Sequence, residues 1–341
     1  MTRWPVAQHT FVLGALLLLG LLTSLIQGAI NLPAGNSLLA VLDALVGSRY
    51  STLLDYQQVV VVDLRLPRVL LAIVVGALLA QCGAVMQGLF RNPLADPGIM
   101  GVSSGAAVGA ILAIAWLVPL LGDWTIPVCA FAGGLAVTLL VYRLAKTHNG
   151  TSVMMLLLAG IAVSAFAGAV IGFVSYISND QVLRDLSLWQ MGSLAGGDRF
   201  NLAIAYATLL ILLVAFQRRA AALNALLLGE PEARHLGIRV ERLKIELVVL
   251  TAIGVGVAVS CSGIIGFVGL VVPHLVRLTV GPCHHTLLPL SALMGAVLLL
   301  YADLVGRLLL QPAELPVGLV TALIGAPFFL VLLLQMRRRG A

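Results

Sequence analysis

Asp303 and Arg307 stand four residues apart inside a strongly apolar run. That spacing places a carboxylate and a guanidinium on one helical face, and charges inside an apolar helix are paired or functional because leaving them bare is costly. A mutually neutralised pair near the outer surface is preferred to a proton pathway. A second candidate is Gly101-Val102-Ser103-Ser104-Gly105, the GxSxG spelling of a hydrolase nucleophile elbow. An elbow needs a strand ahead of its serine. Here a proline-bounded loop leads into an apolar helix start, where small residues permit close helix packing. The histidines offer no catalytic base. His148, His235, His274, His284 and His285 fall at helix ends or loops, His9 lies near the start of the first helix, and none faces another with a carboxylate at helical spacing. Solvated or capping roles are the expectation for them. Cys82, Cys129, Cys261 and Cys283 are scattered, with no CxxC pair or metal-ligand spacing, and read as small buried hydrophobes. There is no HExxH and no GxxxxGK[ST], and the only lysines, Lys146 and Lys244, sit outside any phosphate-binding loop. The sequence contains no catalytic apparatus and no resident metal site.

The elements that carry these residues are helices in a membrane. Of 341 residues, 60% are hydrophobic and 10% charged, against about 25% charged in soluble domains. A water-soluble globular protein is therefore excluded. No basic tract is interleaved with aromatics, so nucleic acid is not an expected partner. Apolar segments run at roughly 10–30, 68–89, 98–118, 124–144, 152–175, 201–217, 245–280, 287–310 and 316–336. The first exceeds the core of a signal peptide and lacks a clear cleavage site, which predicts a retained first helix. The segment 245–280 would be about 54 Å long as one helix, well beyond the roughly 30 Å hydrocarbon core. Ser260-Cys261-Ser262-Gly263 offers a break within it.

Charge placement settles the count. Arg218, Arg219, Arg234, Arg239, Arg242 and Lys244 mark the segment after the sixth span as cytoplasmic, as Arg337, Arg338 and Arg339 mark the C-terminus. An even number of crossings must lie between them, so 245–280 splits in two. The expectation is an all-α polytopic membrane protein of ten transmembrane helices with both termini in the cytoplasm. On that topology six of the 20 basic residues face outward: Arg49, Arg65, Arg68, Arg184, Arg199 and Arg307. Spans 2–5 and 7–10 then run in opposite senses, which predicts an inverted repeat.

Two loops exceed the needs of a connector. Ser178–Arg199 mixes Leu183, Leu186, Leu188, Trp189 and Met191 with polar residues, predicting a short helix at the outer surface. The inner segment 223–242, LNALLLGEPEARHLGIRVER, is unusually long for this chain and suits a docking platform for another protein.

Three motifs are more specific. Residues 65–105 read RLPRVLLAIVVGALLAQCGAVMQGLFRNPLADPGIMGVSSG, followed by GFVGLVVPHLVR at 266–277 and AELPVGLVTALIGAPFF at 313–329. In this order the chain resembles the permease subunits of binding-protein-dependent ABC importers for haem, ferric siderophores and vitamin B12, most of all haem permeases. The resemblance covers nearly the whole chain, as a single permease domain over 1–341. It implies that Arg65 and Arg68 of the RLPR segment, with Arg307 ahead of the ELP motif, dock acidic residues of a periplasmic substrate-binding protein. It implies a cytoplasmic gate at Asn92, Leu94, Thr151 and Ser152. It makes 223–242 the coupling segment seated on the ATPase, through Leu226, Gly229, Glu230, Pro231, Ala233, Leu236 and Gly237.

Physical reasons support these placements. A guanidinium fork binds carboxylates bidentately. Pro93 and Pro97 forbid a continuous helix and leave backbone groups free, tolerable only in a water-lined or protein-buried place. The resemblance further implies a homodimer in the bacterial inner membrane, with lipid around it and two ATPase subunits that hold ATP and Mg. No cofactor resides in this chain, and haem passes through as substrate. A ferric siderophore or vitamin B12 importer is the nearest alternative. A proton-coupled secondary transporter would need more intramembrane carboxylates than Asp303, and an intramembrane serine hydrolase would need a histidine beside Ser103.

Overall fold

The computed structural model describes residues 5–28, 30, 32–48, 50–147 and 150–340, with side chains in the last helix through Leu332 and at Leu334. Arg49, His148 and the side chains of Arg337, Arg338 and Arg339 lie outside the described residues. Thirteen helices follow one another: α1 Val6–Ile26, α2 Ala34–Val46, α3 Asp55–Leu89, α4 Val102–Leu121, α5 Thr125–Ala145, α6 Val153–Ile177, α7 Asp180–Gln190, α8 Arg199–Leu226, α9 Glu230–His235, α10 Val240–Ser262, α11 Val268–Val280, α12 His284–Leu309 and α13 Val317–Gly340. A two-stranded hairpin pairs β1 Lys146–Thr147 with β2 Gly150–Thr151. Among the described residues eight helices are long and apolar enough to cross a membrane, and α11 and Val317–Leu332 are shorter apolar helices.

Helix α3 is the axis of the molecule. From Val69 to Leu89 almost every residue is buried, as expected of a helix that is apolar on all sides. Helices α8, α10, α11 and α12 pack around it, with α12 the most extensive neighbour. Against α12 a close approach is at Gly76 and Gly295, where a Cβ on either residue would run into the other's carbonyl, and Gly83 meets the Gly269 carbonyl of α11 in the same way. Small residues let two helix backbones meet where apolar burial alone gives no net drive in lipid. The pair Gly101 and Gly105 serves α4 in the same way against Val137 and Gly133 of α5.

The extent of α3 departs from expectation. The polar stretch 31–67 reads as a break, yet α2 and the first third of α3 occupy most of it. At about 52 Å, α3 outruns the hydrocarbon core. Its early turns pack Val61 against Leu32, Ala40 and Leu53, an apolar cluster outside the main core. Pro67 cannot donate to the preceding turn, and the π-helical stretch Val60–Arg65 absorbs the resulting mismatch without a break. The cluster with α2 is a tertiary contact that no local pattern announces.

The division of 245–280 stands. Helix α10 ends at Ser262, Gly263 (φ 69°) and Phe267 (φ 67°) reverse the chain, and α11 begins at Val268. A helix also forms in the expected outer loop, as α7, with Leu186 buried. The GxSxG segment is a helix start capped by left-handed Gly101, with a 3-10 turn and no strand ahead of it. Ser104 Oγ donates to Gly101 O (3.2 Å) and lies 3.1 Å from Ser164 Oγ.

Candidate functional site

Two polar clusters lie at opposite ends of α3. Arg68 begins its buried part and the Arg91–Asp96 loop follows its end, and Arg68 and Leu89 are about 32 Å apart at helical rise. That separation matches the thickness of a hydrocarbon core.

At the Arg68 end, the three arginines expected to face a partner are committed within the chain. Arg65 is 6% exposed. Its guanidinium donates to Leu25 O (2.9 Å), Ile26 O (2.7 Å) and Ile30 O (2.6 Å), closing the carbonyl end of α1. The last helical carbonyls lack intrahelical donors and carry the negative end of the dipole, so a cation is the natural cap. Arg307, 5% exposed, donates to Ser24 O (3.3 Å) and Gln27 O (3.4 Å) and contacts Ser24 Oγ, while its Nε stands 3.0 Å from Asp303 Oδ2. Arg68 joins Asp303 Oδ1 at 2.9 Å and Glu314 Oε2 at 2.5 Å. The expected Asp303–Arg307 pair therefore exists, inside a four-residue network. Arg65 and Arg307, expected with Arg68 to dock a partner, are 6% and 5% exposed and tie α1 to α3 and to α12 respectively. Arg68 and the half-exposed Glu314 form the open edge of the network.

At the other end, Pro93 and Pro97 bound an irregular loop, as expected. Asn92 Oδ1 accepts Leu94 N (3.0 Å), and Asp96 Oδ1 accepts Gly98 N (2.7 Å) at the head of the Pro97–Met100 turn. Burial pushes the Asp96 carboxyl above its ordinary range, against the opposing Gly98 bond. Ser152 caps α6, its hydroxyl accepting Met155 N. Thr151, buried at the end of β2, donates its hydroxyl to Glu241 Oε2 (2.8 Å), lies 3.2 Å from the Tyr142 hydroxyl, and is held at its amide by the same Glu241 oxygen (3.1 Å). Leu89 and Phe90 share a small crevice with Thr151, so the α3 terminus and the β-hairpin are neighbours.

The segment 223–242 folds as the end of α8, a turn, α9, a second turn and the first residues of α10. Gly229 at φ 133° makes the turn, a conformation closed to side-chain-bearing residues. Leu226 and Ala233 anchor the segment in the core, whereas Leu228 and Leu236 stand 67% and 64% exposed. Pro231 is within the first turn of α9, Gly237 at φ 82° turns the chain just past its end, and Glu230 reaches Lys244 Nζ at 2.8 Å.

Several residues were missed from sequence. His284 was expected at a solvated end but is 1% exposed, its amide and Nδ1 both 2.8 Å from Asn224 Oδ1, which ties α8 to α12. His274 lies within α11 against Phe328. Arg277 donates to Gln87 Oε1 (2.8 Å). Lys244 had one available signal: it is one of only two lysines and opens an apolar span. A cavity of about 740 Å³ between α5, the end of α7, α8 and α10, lined by Trp124, Phe131, Trp189 and Phe200, includes none of the expected site residues.

The FecCD transport family model matches residues 16–335. This chain is a permease of the FecCD transport family. It is 50% identical over 280 residues to a hemin transport system permease protein of Yersinia pestis, covering 81% of this chain and 84% of that protein. It is 42% identical over 331 residues to a vitamin B12 import system permease protein of Klebsiella pneumoniae, covering 97% and 94%. Among solved structures it superposes on a metal-chelate type ABC transporter in an inward-facing conformation with a TM-score of 0.81 and 34% identity, over 96% of this chain and 99% of that one. The resemblance carried by RLPR, RNPLADP and AELP is thus a family membership. The permease is a multi-pass membrane protein of an ABC importer type, in which ATP hydrolysis belongs to a separate subunit.

Proposed function

We propose that this permease works as a homodimer in the bacterial inner membrane, enclosing a path for haem or another iron chelate along the dimer axis. The observation that carries the reading is the outer face of α6. Leu158, Ala162, Ala165, Ala169, Gly172 and Tyr176 line one exposed face at helical spacing, and a Cβ on Gly168 or Gly172 would meet nothing within 4 Å. Ser152 of the expected gate caps the same helix. The small middle of this face, Ala162, Ala165, Ala169 and Gly172, framed by the exposed Leu158 and Tyr176, suits a weakly binding passage for a large flat molecule, and a two-fold copy supplies the opposite wall. The large cavity within one chain touches neither gate nor arginine cluster, which supports placing the path between copies.

The eight long helices with α11 and α13 give ten spans with both termini cytoplasmic, and α3–α6 and α10–α13 form the inverted halves. A periplasmic binding protein docks at the Arg68–Glu314 edge, braced by Arg65 and Arg307. The gate comprises Asn92, Leu94, Thr151 and Ser152, and two ATPase subunits carrying ATP and Mg seat on 223–242. The 50% identity to a hemin permease ranks haem ahead of vitamin B12 or a ferric siderophore. Reconstitution with ATPase and binding protein in proteoliposomes tests this. ATP-dependent uptake of haem exceeding that of cobalamin and a ferric siderophore supports the assignment, and preference for either of the others replaces it.

A further inference from the structure

Lys244 is almost wholly buried, its side chain 6% exposed, in the second turn of α10. A buried ammonium needs partners for its three protons, and this one has two hydrogen-bond acceptors and a further carboxylate in ion-pair contact. Nζ lies 2.8 Å from Glu230 Oε1 on α9, 3.0 Å from Glu241 Oε1 one turn back on α10, and 3.3 Å from the Thr151 carbonyl oxygen of β2. The second Glu241 oxygen accepts both the amide and the hydroxyl of Thr151. Gly150, at φ 112°, leaves the space that a Cβ would take from the Glu241 carboxylate. Thr151 is therefore gripped at its amide, hydroxyl and carbonyl by two side chains of α10, and one of those two also holds the first residue of α9. Helix α9 and strand β2 each pack on α10.

We propose that Lys244 is a positioning residue that ties the ATPase-coupling segment to the cytoplasmic gate, so that displacement of α9 through Glu230 is delivered to Thr151 and the head of α6. The inference rests on the reading of 223–242 as coupling segment and of Thr151 and Ser152 as gate. A rigid hydrophobic contact would transmit compression only. A buried ammonium held between carboxylates also transmits a pull, because drawing the 6%-exposed Lys244 Nζ away from Glu230 and Glu241 would leave a buried cation without its partners. Without the ammonium, Glu230 and Glu241 become like charges sharing one site. Both are partly open to water, at 31% and 41% side-chain exposure, so they swing apart instead of unfolding the segment.

The test uses the assembled complex of permease, ATPase and binding protein, in a background with the four cysteines replaced. Ser152→Cys reports the gate by crosslinking across the dimer, and transport per ATP hydrolysed reports coupling. Lys244→Met is expected to retain the bound ATPase and its hydrolysis, to lower transport per ATP at least tenfold, and to make Ser152→Cys crosslinking insensitive to nucleotide. Lys244→Arg, which keeps the charge, is expected to recover part of both. Glu241→Gln, which weakens the grip on Thr151 without removing a buried cation, is expected to lower transport per ATP several-fold, and it decides the matter should Lys244→Met fail to assemble. Unchanged transport per ATP with nucleotide-dependent crosslinking in Lys244→Met, or in Glu241→Gln where only that variant assembles, overturns the inference. A separate failure is distinguishable: if Ser152→Cys never crosslinks in the otherwise unaltered complex, the gate assignment itself is wrong.

Discussion

Arg68 Nε lies 2.9 Å from Asp303 Oδ1, although 235 positions separate the two residues in the chain. Asp303 also stands 3.0 Å from the Arg307 guanidinium, and Arg68 reaches on to Glu314. Arg68 thus joins the central helix to α12 through Asp303 and to the segment before α13 through Glu314. Removing a partner from a buried ion pair costs about 3–5 kcal/mol when the remaining charge is left alone. Here Arg307 stays in place, so Arg68→Leu should cost less than that, whereas Asp303→Leu, which leaves Arg68 only Glu314 and Arg307 only the Ser24 and Gln27 acceptors, should cost more than Arg68→Leu. Thermal unfolding of the detergent-solubilised permease checks the order.

The Arg65 substitution separates bracing from docking. Hydrogen bonds from a charged donor contribute on the order of 1.5–3 kcal/mol each, and Arg65 makes three to the end of α1. Arg65→Met is expected to lower the unfolding temperature and expose the α1–α2 connection to protease. Arg68→Ala is expected chiefly to weaken association with the binding protein, in a salt-dependent manner. Equal effects of both variants on binding at unchanged stability would return Arg65 to the docking surface.

Asn92, Leu94, Thr151 and Ser152 should approach their symmetry mates around the dimer axis. Single cysteines at Asn92, Leu94 or Ser152 are expected to crosslink in at least one nucleotide state. Absence of crosslinks in every state removes these residues from a gate.

Leu228 and Leu236 are the most exposed leucines of the proposed coupling segment, ahead of Leu227. Leu228→Asp with Leu236→Asp should reduce co-purification of the ATPase at least tenfold without lowering the unfolding temperature, since neither side chain supports the core. Retained ATPase would move the docking surface elsewhere. Gly229→Trp is a poorer probe, because φ 133° at that residue strains any side chain irrespective of docking.

The Asp96 carboxyl gives a pH dependence of known sign. Burial raises its folded value above the ordinary 3.8. Its favourable contribution is therefore fully present below that ordinary value and is lost as pH rises through the folded one. Asp96→Asn keeps an oxygen for Gly98 N and cannot ionise. The variant should unfold at a higher temperature than the parent near pH 8, and the difference should close near pH 4. A difference independent of pH would show that the carboxyl is not desolvated.

The sequence by itself determined the membrane class, the break that separates α10 from α11, the helix in the outer loop and the family. Each follows from a local signal: apolar length measured against the bilayer, charge parity at loop ends, or a contiguous motif. Asp303 and Arg307 were legible as a pair because four-residue spacing on a helix is itself a contact. Tertiary structure alone decided the rest. Whether Arg65 faces a partner or caps α1 depends on where the carbonyls of Leu25, Ile26 and Ile30 lie, some 40 positions earlier. The first turns of α3 look like a loop by polarity and become helix because Val61 finds Leu32, Ala40 and Leu53. Lys244 reads as one more cytoplasmic charge until Glu230, Glu241 and Thr151 converge on it from three elements. Local patterns record the free energy of a segment against water or lipid, whereas a buried charge is decided by which distant groups fold to meet it.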